Sequence, residues 1–262
     1  CVAPLTDLFN DGNPQNYRLG GGIFIGFASP VVSNCIVVNN SAASDAGFGG
    51  GIWAGNPDYR IDFHLKDCVV SNNSSDANGS GLFVYYCTGL VENCSFIGNN
   101  VQAGVVIQES ELEMANCDIS ESIKGIEIFD DNSTIRNCVI TNNDNEGINL
   151  ALFNLSECTP RIVDCTITDN DGHGISSKYG ASPVIRNCLI SGNTADSGAG
   201  LDLRGGNPTI IDCIIENNVA TNRGGGIYFG NEIAEISNPT IINCTIQFNA
   251  ANFGGGAYSL QD

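Results

Sequence analysis

The sequence predicts an all-β, single-domain parallel β-helix of about nine to ten coils. Two observations lead to this prediction. A cysteine recurs with an average spacing of about 26 residues, and apolar and asparagine positions keep step with it. A period of roughly 20–50 residues is typical of repeat architectures, in which each repeat buries its apolar face against the next.

The cysteine column defines the repeat. Nine of the twelve cysteines directly follow Asn or Asp, and the residues two positions after and three positions before each of them are apolar in all nine repeats. We expect these thiols to point into the core and to be buried and mostly reduced. The column consists of Cys35, Cys68, Cys94, Cys117, Cys138, Cys165, Cys188, Cys213 and Cys244.

An asparagine column lies five residues after these cysteines, with Ser122 as its one exception. It consists of Asn40, Asn73, Asn99, Asn143, Asn170, Asn193, Asn218 and Asn249, and we expect it to form an internal amide ladder at a turn. A Gly-aliphatic element follows in each repeat and marks a corner. The apolar segments between are β-branched and only 3–6 residues long, which favours strands over helices. The predicted organisation is an N-terminal lead-in segment over residues 1–19 and a β-helix over 20–262.

Two repeat units carry a family resemblance. Residues 207–229 and 238–259 resemble the right-handed β-helix repeats of the pectate-lyase-like superfamily, and also the Gly-Gly-aliphatic repeats of bacterial polymorphic outer-membrane and surface proteins. The resemblance implies a right-handed helix. It leaves the function open, because this scaffold hosts lyases, hydrolases, epimerases, adhesins and structural rods.

The composition limits the partners. There are 29 acidic residues against 10 basic ones, and the formal net charge is −19. Nucleic acid is therefore not expected as a partner, because phosphate binding needs a basic surface. No run of 18 apolar residues indicates a transmembrane segment. The chain begins at Cys1 without an initiator Met, which indicates a processed product or a fragment, with a lipoprotein-like N-terminus as the alternative.

Two cysteines inside the repeat region lie outside the column. Cys87 and Cys158 each precede a column cysteine by seven residues, so they occupy equivalent sites three coils apart. That separation is about 14 Å, and a disulfide needs Cα atoms within about 7 Å. We therefore expect no bond between them, and faster thiol labelling at either of them than at the column.

Acidic residues indicate a weak candidate metal site. Glu127, Asp130 and Asp131 belong to an acidic stretch, and clustered carboxylates suit Ca²⁺. A solvated acidic face is the competing interpretation, so no definite cofactor is predicted.

A further column follows the inward aliphatic residue of each Gly corner, and the two-residue period of a strand makes it face outward. It has polar residues in its centre and aromatic residues towards its ends, as a polysaccharide groove would. The column is Phe24, Trp53, Phe83, Val106, Glu127, Asn149, Ser176, Asp202, Tyr228 and Tyr258. If the protein is an enzyme, Glu127 and Asp202 are the acid/base candidates, and Lys178, Arg204 and His173 assist them.

Three functional hypotheses follow. Short loops, and a repeat that continues to both ends, favour an extracellular structural rod: a surface protein, adhesin segment or filament subunit that associates with itself head to tail. The alternative is a lyase or hydrolase acting on an extracellular, uronic-acid polysaccharide. A weaker alternative is a non-catalytic glycan-binding module, whose contact candidates are Trp53, Tyr85, Tyr86 and Tyr228.

Overall fold

The computed structural model describes residues 19–42, 47–153, 158–230 and 237–259. These residues form a parallel β-helix whose three long sheets contain ten, nine and nine strands. The predicted all-β fold class is thus confirmed. The lead-in segment predicted for residues 1–19 lies outside the described residues, apart from Leu19 at its end.

Nine coils contribute one strand to each long sheet, and Ala257–Ser259 adds a tenth strand to the first. Each strand pairs in parallel with the equivalent strands of the adjacent coils. The first sheet consists of Ile23–Ile25, Ile52–Gly55, Leu82–Tyr85, Ala103–Gln108, Lys124–Phe129, Ile148–Ala151, Ile175–Lys178, Leu201–Arg204, Ile227–Gly230 and Ala257–Ser259. The second consists of Val31–Ser33, Ile61–Lys66, Cys87–Glu92, Glu111–Ala115, Thr134–Arg136, Arg161–Val163, Val184–Arg186, Thr209–Ile211 and Thr240–Ile242. The third consists of Ile36–Val38, Val69–Ser71, Ser95–Ile97, Asp118–Ser120, Val139–Thr141, Thr166–Thr168, Leu189–Ser191, Ile214–Glu216 and Thr245–Gln247.

Two short pairs supplement these sheets near the corner that leads from the third sheet to the first. Ser41–Ala42 pairs with Ser74–Ser75, and Thr194–Ser197 pairs with Val219–Arg223. The described residues include no helix with the length and apolarity that crossing a membrane would require.

The turn from the second to the third sheet explains why Asn or Asp precedes each column cysteine. The residue before the cysteine is left-handed in all nine coils, with φ between 52° and 57°. Asn and Asp tolerate this conformation better than other residues with a side chain. The following cysteine then points inward, and its backbone stays in register with the next coil: the N–H of Val69 donates to the carbonyl of Cys35 at 2.9 Å, and later coils repeat this bond.

The asparagine column forms a ladder of hydrogen bonds at the opposite end of the third sheet. Asn170 is typical, because its Oδ1 accepts from both the backbone N–H and the Nδ2 of Asn143, at 3.1 and 2.8 Å. Its own Nδ2 donates to Asn193 Oδ1 at 2.9 Å. A glycine faces each amide across the corner: a Cβ added at Gly147 would lie 2.9 Å from Asn170 Nδ2. The Gly and Asn columns therefore depend on each other.

The interior between the three sheets is one continuous apolar core, which contains seven of the nine column thiols as buried residues. Cys35 and Cys244, at the two ends of the column, are half-buried. A second, smaller apolar cluster lies on the outer face of the first sheet, around Trp53, Phe83 and Val106.

Candidate functional site

The outward column of the first sheet contains the most concentrated polar chemistry of the described chain. Glu127, Asn149, Ser176 and Asp202 lie side by side in four adjacent strands. We call these four residues the polar seam. Aromatic residues continue the column on both sides, with Trp53 and Phe83 towards the first coil and Tyr228 towards the last.

The column faces outward, but most of its members are buried. Trp53 is 1% exposed and Asp202 is fully buried, and Phe83, Val106, Glu127, Ser176 and Tyr228 are also buried. Side chains from the corner and from neighbouring strands cover them. The ring of Phe24 stacks on Trp53 with a centroid distance of 4.8 Å, and Phe48 meets Phe83 edge-on at 5.2 Å.

The first half of the seam is an ion-pair cluster. Lys124 Nζ lies 2.7 Å from Glu127 Oε1 and 3.9 Å from Glu146 Oε2, and Asn149 Nδ2 donates to Glu127 Oε1 at 3.2 Å. Burial alone would lower the pKa of Lys124, but the two carboxylates outweigh it and the pKa is raised. Glu127 is therefore held in an ion pair with Lys124.

The second half of the seam is built around Asp202. Arg204 Nε lies 2.9 Å from its Oδ1, and His173 Nε2 lies 3.5 Å from its Oδ2. His173 Nδ1 is 3.0 Å from the carbonyl oxygen of Gly198, and a carbonyl only accepts, so Nδ1 carries a proton. Asp202 Oδ2 and Ser176 Oγ are buried without a hydrogen-bond partner among the described residues. This half of the seam therefore retains unsatisfied polar atoms.

The separation of the two carboxylates limits the chemistry. Glu127 and Asp202 are three strands apart, which is about 14 Å. Glycosidases place their paired carboxyl groups roughly 5–9.5 Å apart. Glu127 and Asp202 therefore cannot act together on one glycosidic bond. Lys178 lies in the strand before Arg204, and no described residue forms an ion pair with it.

The three calcium candidates do not converge. Glu127 faces Lys124 on the first sheet, whereas Asp130 and Asp131 lie in the turn that follows this strand. Asp131 accepts from the backbone N–H groups of Ser110 and Ser133, the latter at 2.6 Å. Burial raises the pKa of Asp131 to about 6.

Across the described residues, no three His, Cys, Asp or Glu side chains are grouped so that they could hold a metal ion.

Two of the four glycan-contact candidates are not accessible. The faces of Trp53 and Tyr228 are covered by Phe24 and by the Arg204 guanidinium, which lies 5.5 Å from the centroid of Tyr228. Tyr85 and Tyr86 are half-buried, and the Arg60 guanidinium lies over the ring of Tyr86.

A different aromatic cluster is more exposed, and the sequence reasoning missed it. Phe129, Phe153 and Tyr179 lie in series with centroid distances of 5.5 and 5.4 Å, and Phe153 is 58% exposed. Phe153 and Tyr179 belong to turns after strands of the first sheet, outside the repeated columns. The columns alone therefore gave no signal for them.

The expectation for the two cysteines outside the column is also wrong. Cys87 and Cys158 are buried in the interior core, and burial raises their thiol pKa to about 12 and about 11. Each lies four residues before an inward aliphatic residue, Val91 or Ile162, so the two-residue period of the strand places it on the same inner side. They are thus no easier to reach than the buried column thiols.

Two solved structures are distantly similar to this chain. A search among curated proteins finds no match. A solved pectate lyase structure is 12% identical with a TM-score of 0.41, and the match covers 91% of this chain and 70% of that one. The A-module of a mannuronan C-5 epimerase from Azotobacter vinelandii is 10% identical with a TM-score of 0.37, and the match covers 92% of this chain and 91% of that one.

A family model extends over most of the repeat region. The model described as "Right handed beta helix region" matches residues 50–213, which is more than half of the chain. Together with the parallel three-sheet architecture, this match confirms the right-handed β-helix that the repeat units imply. The chain therefore belongs to the right-handed β-helix family.

Proposed function

We propose that this chain is a structural rod segment of an extracellular surface protein or filament, and that further β-helical coils continue it end to end. The simplest such continuation is a second copy packed head to tail. The observation that carries this proposal is the uncovered interior face of the last described coil. Ile241 points inward three residues before Cys244 and is 38% exposed, whereas its counterpart one coil earlier, Ile210, is fully buried.

A second inward position shows the same difference between the last coil and the interior coils. The inward aliphatic residue after the column cysteine is fully buried at Ile215, whereas its counterpart one coil later, Ile246, is half-buried. A further coil would cover Ile246 as the last coil covers Ile215. Each aliphatic side chain buried in this way contributes about 1.5–3 kcal/mol. A head-to-tail contact does not close on itself and therefore produces filaments.

The seam is consistent with a structural role. The Glu127 cluster is buried beneath its own neighbours, and its charges are paired with each other. Buried ion pairs of this kind can hold adjacent coils together. Because neighbouring side chains cover them, they are poorly placed to contact a substrate. The net charge of −19 opposes association, so assembly should strengthen with salt.

Sedimentation velocity and negative-stain microscopy at low and high salt test the proposal. Ile246→Asp should abolish fibres while the far-UV circular dichroism stays unchanged. Val139→Asp places the same charge at a partly exposed position of a central coil and should leave fibres intact. Ile215→Asp, at a fully buried position, is the control for loss of folding. Dispersed monomers of the unmodified protein at every salt and protein concentration would contradict head-to-tail assembly.

A second candidate, cleavage of a uronic-acid polysaccharide by β-elimination, is favoured by the Asp202 half of the seam. Arg204 and Lys178 would attract a uronate carboxylate, and His173, whose Nε2 faces Asp202, would act as the proton acceptor. Incubation with uronic-acid polymers, followed by the absorbance of the unsaturated product, tests this. Turnover that survives both His173→Ala and Arg204→Met would exclude these residues.

A further inference from the structure

The nine column thiols form a single unbranched row through the core, which we call the thiol row. Backbone hydrogen bonds hold the row in register: the carbonyl of each column cysteine up to Cys213 accepts the N–H that follows the next cysteine, at 2.9–3.0 Å. From Cys35 to Cys244 no coil lacks its thiol. The row is therefore a regular linear array of sulfur atoms.

The thiols of the row are oriented alike. Each sulfur lies 3.1–3.3 Å from the carbonyl oxygen two residues earlier in its own chain, as at Cys68 with Lys66 and at Cys188 with Arg186. The thiol proton is thus directed to a carbonyl of the same coil. The lone pairs of each sulfur remain available to groups of the neighbouring coils. For example, the backbone N–H of Cys35 lies 3.4 Å from the sulfur of Cys68.

The spacing of the row is unsuited to disulfides. Residues in register on parallel strands keep their Cβ atoms about 4.8 Å apart, whereas a disulfide draws Cβ atoms to roughly 3.5–4.5 Å. Oxidation would therefore require adjacent coils to move together. In contrast, two metal–sulfur bonds of about 2.3 Å placed in line span about 4.6 Å, close to the strand spacing.

We propose that the thiol row binds soft monovalent cations such as Cu⁺ and Ag⁺, each held in line between the thiols of two adjacent coils. Thiolate sulfur is the ligand that Cu⁺ prefers. Zinc requires four ligands in a tetrahedron, and a single row offers two per gap.

The charge balance explains how such a complex can exist in an apolar core. When ions fill all the gaps in a run of consecutive thiols, the run contains one more sulfur atom than metal ions. If each ion displaces one proton and one thiol of the run stays protonated, the complex is neutral. No net charge is then buried, which would otherwise be costly. Since neighbouring ions share a bridging thiolate, filling should be cooperative. In the unassembled protein, the half-buried ends, Cys35 and Cys244, give the ions a route in.

The stoichiometry gives a sharp test. Nine thiols in a row leave eight gaps. Reduced protein is loaded anaerobically with Cu⁺ or Ag⁺. A competing chelator then removes ions that are bound by only one thiol, and the retained metal is counted by mass spectrometry. Cys138→Ser divides the row into two runs of four thiols, so six ions should remain. Cys244→Ser removes an end thiol and should leave seven. Cys87→Ser removes a buried thiol outside the row and should leave eight.

Two independent readouts accompany the count. X-ray absorption of the copper form should show two sulfur neighbours per ion, and loading should raise the thermal unfolding midpoint. The circular dichroism of each metal-free variant shows whether it folds. If Cys138→Ser fails to fold, the count for Cys244→Ser still tests the proposal. Loss of one ion from every variant, including Cys87→Ser, would mean that the thiols bind independently. That result, or no retained metal, overturns the proposal.

Discussion

Ser122 interrupts the asparagine ladder, and replacing it with asparagine should stabilise the protein. Its hydroxyl donates to the carbonyl of Ser120 at 3.3 Å. Asn99 occupies the equivalent position in the preceding coil. Among the hydrogen bonds of the described residues, neither its backbone N–H nor its Nδ2 donates to Ser122. Elsewhere in the ladder an Oδ1 accepts both of these donors, as Asn170 does for Asn143.

The corner that faces Ser122 has the same glycine as the complete rungs. A Cβ added at Gly104 would lie 2.8 Å from Ser122 Oγ, and one added at Gly147 would lie 2.9 Å from Asn170 Nδ2, so at neither corner does a facing side chain take the place of the amide. Ser122→Asn would therefore provide two new hydrogen bonds, each worth about 1 kcal/mol, or about 2 kcal/mol in total. For a chain of this length, that should raise the thermal midpoint by roughly 4–8 °C.

Differential scanning calorimetry of Ser122→Asn measures this shift, and Asn170→Ser is the matched reverse substitution. The reverse variant should lose a similar amount, because it removes the acceptor of two buried donors. If Asn170→Ser lowers the midpoint and Ser122→Asn does not raise it, position 122 is not equivalent to the rest of the column. If neither changes the midpoint, the ladder contributes nothing to stability and the reasoning fails.

Three further predictions concern buried groups. In the native state, thiol labelling should be slow at Cys87 and Cys158 and, among the described thiols, fastest at the half-buried Cys35 and Cys244; rapid labelling of the first two would show that the core opens readily. The pKa of Asp131 is raised from 3.8 to about 6, so the folded state favours its protonated form. Its contribution to stability is therefore present in full below about pH 4 and is lost as the pH rises through 6. The unfolding free energy of the wild type should fall relative to Asp131→Asn over that interval, and parallel pH profiles would contradict this. Lys124→Met leaves the buried carboxylate of Glu127 without its cation and should cost about 2 kcal/mol in urea unfolding. The cost is smaller than for a fully buried pair because Lys124 is partly exposed, and an unchanged midpoint would show that the pair is not stabilising.

The fold was predictable from sequence because the repeat imposes one environment many times. A residue such as Cys138 has the same neighbours in sequence and in space as its counterparts in the adjacent coils, so the column identifies an inward position. The left-handed residue before it, Asn137, could also be anticipated, because Asn tolerates positive φ.

The candidate site was less predictable, because the two-residue period gives the direction of a side chain and not what covers it. The outward direction of Trp53 follows from its strand, but its burial depends on Phe24 in the adjacent coil. Arg204 lies two residues after Asp202 on the same strand and therefore on the same face, whereas His173 belongs to the preceding coil, and only the register between coils brings it to Asp202. The exposed ring of Phe153 belongs to a turn that the repeat does not specify.

The pairing of every strand with the coils directly before and after it has a consequence for how the chain folds. Contacts join segments that are on average about 26 residues apart, and none of the long sheets requires distant parts of the chain to meet first. Any two adjacent coils can therefore act as a nucleus, from which structure grows in both directions. Amide hydrogen exchange should then be slowest in the central coils and increase towards both ends. Insertion or deletion of one whole coil should change the length of the solenoid without changing its topology.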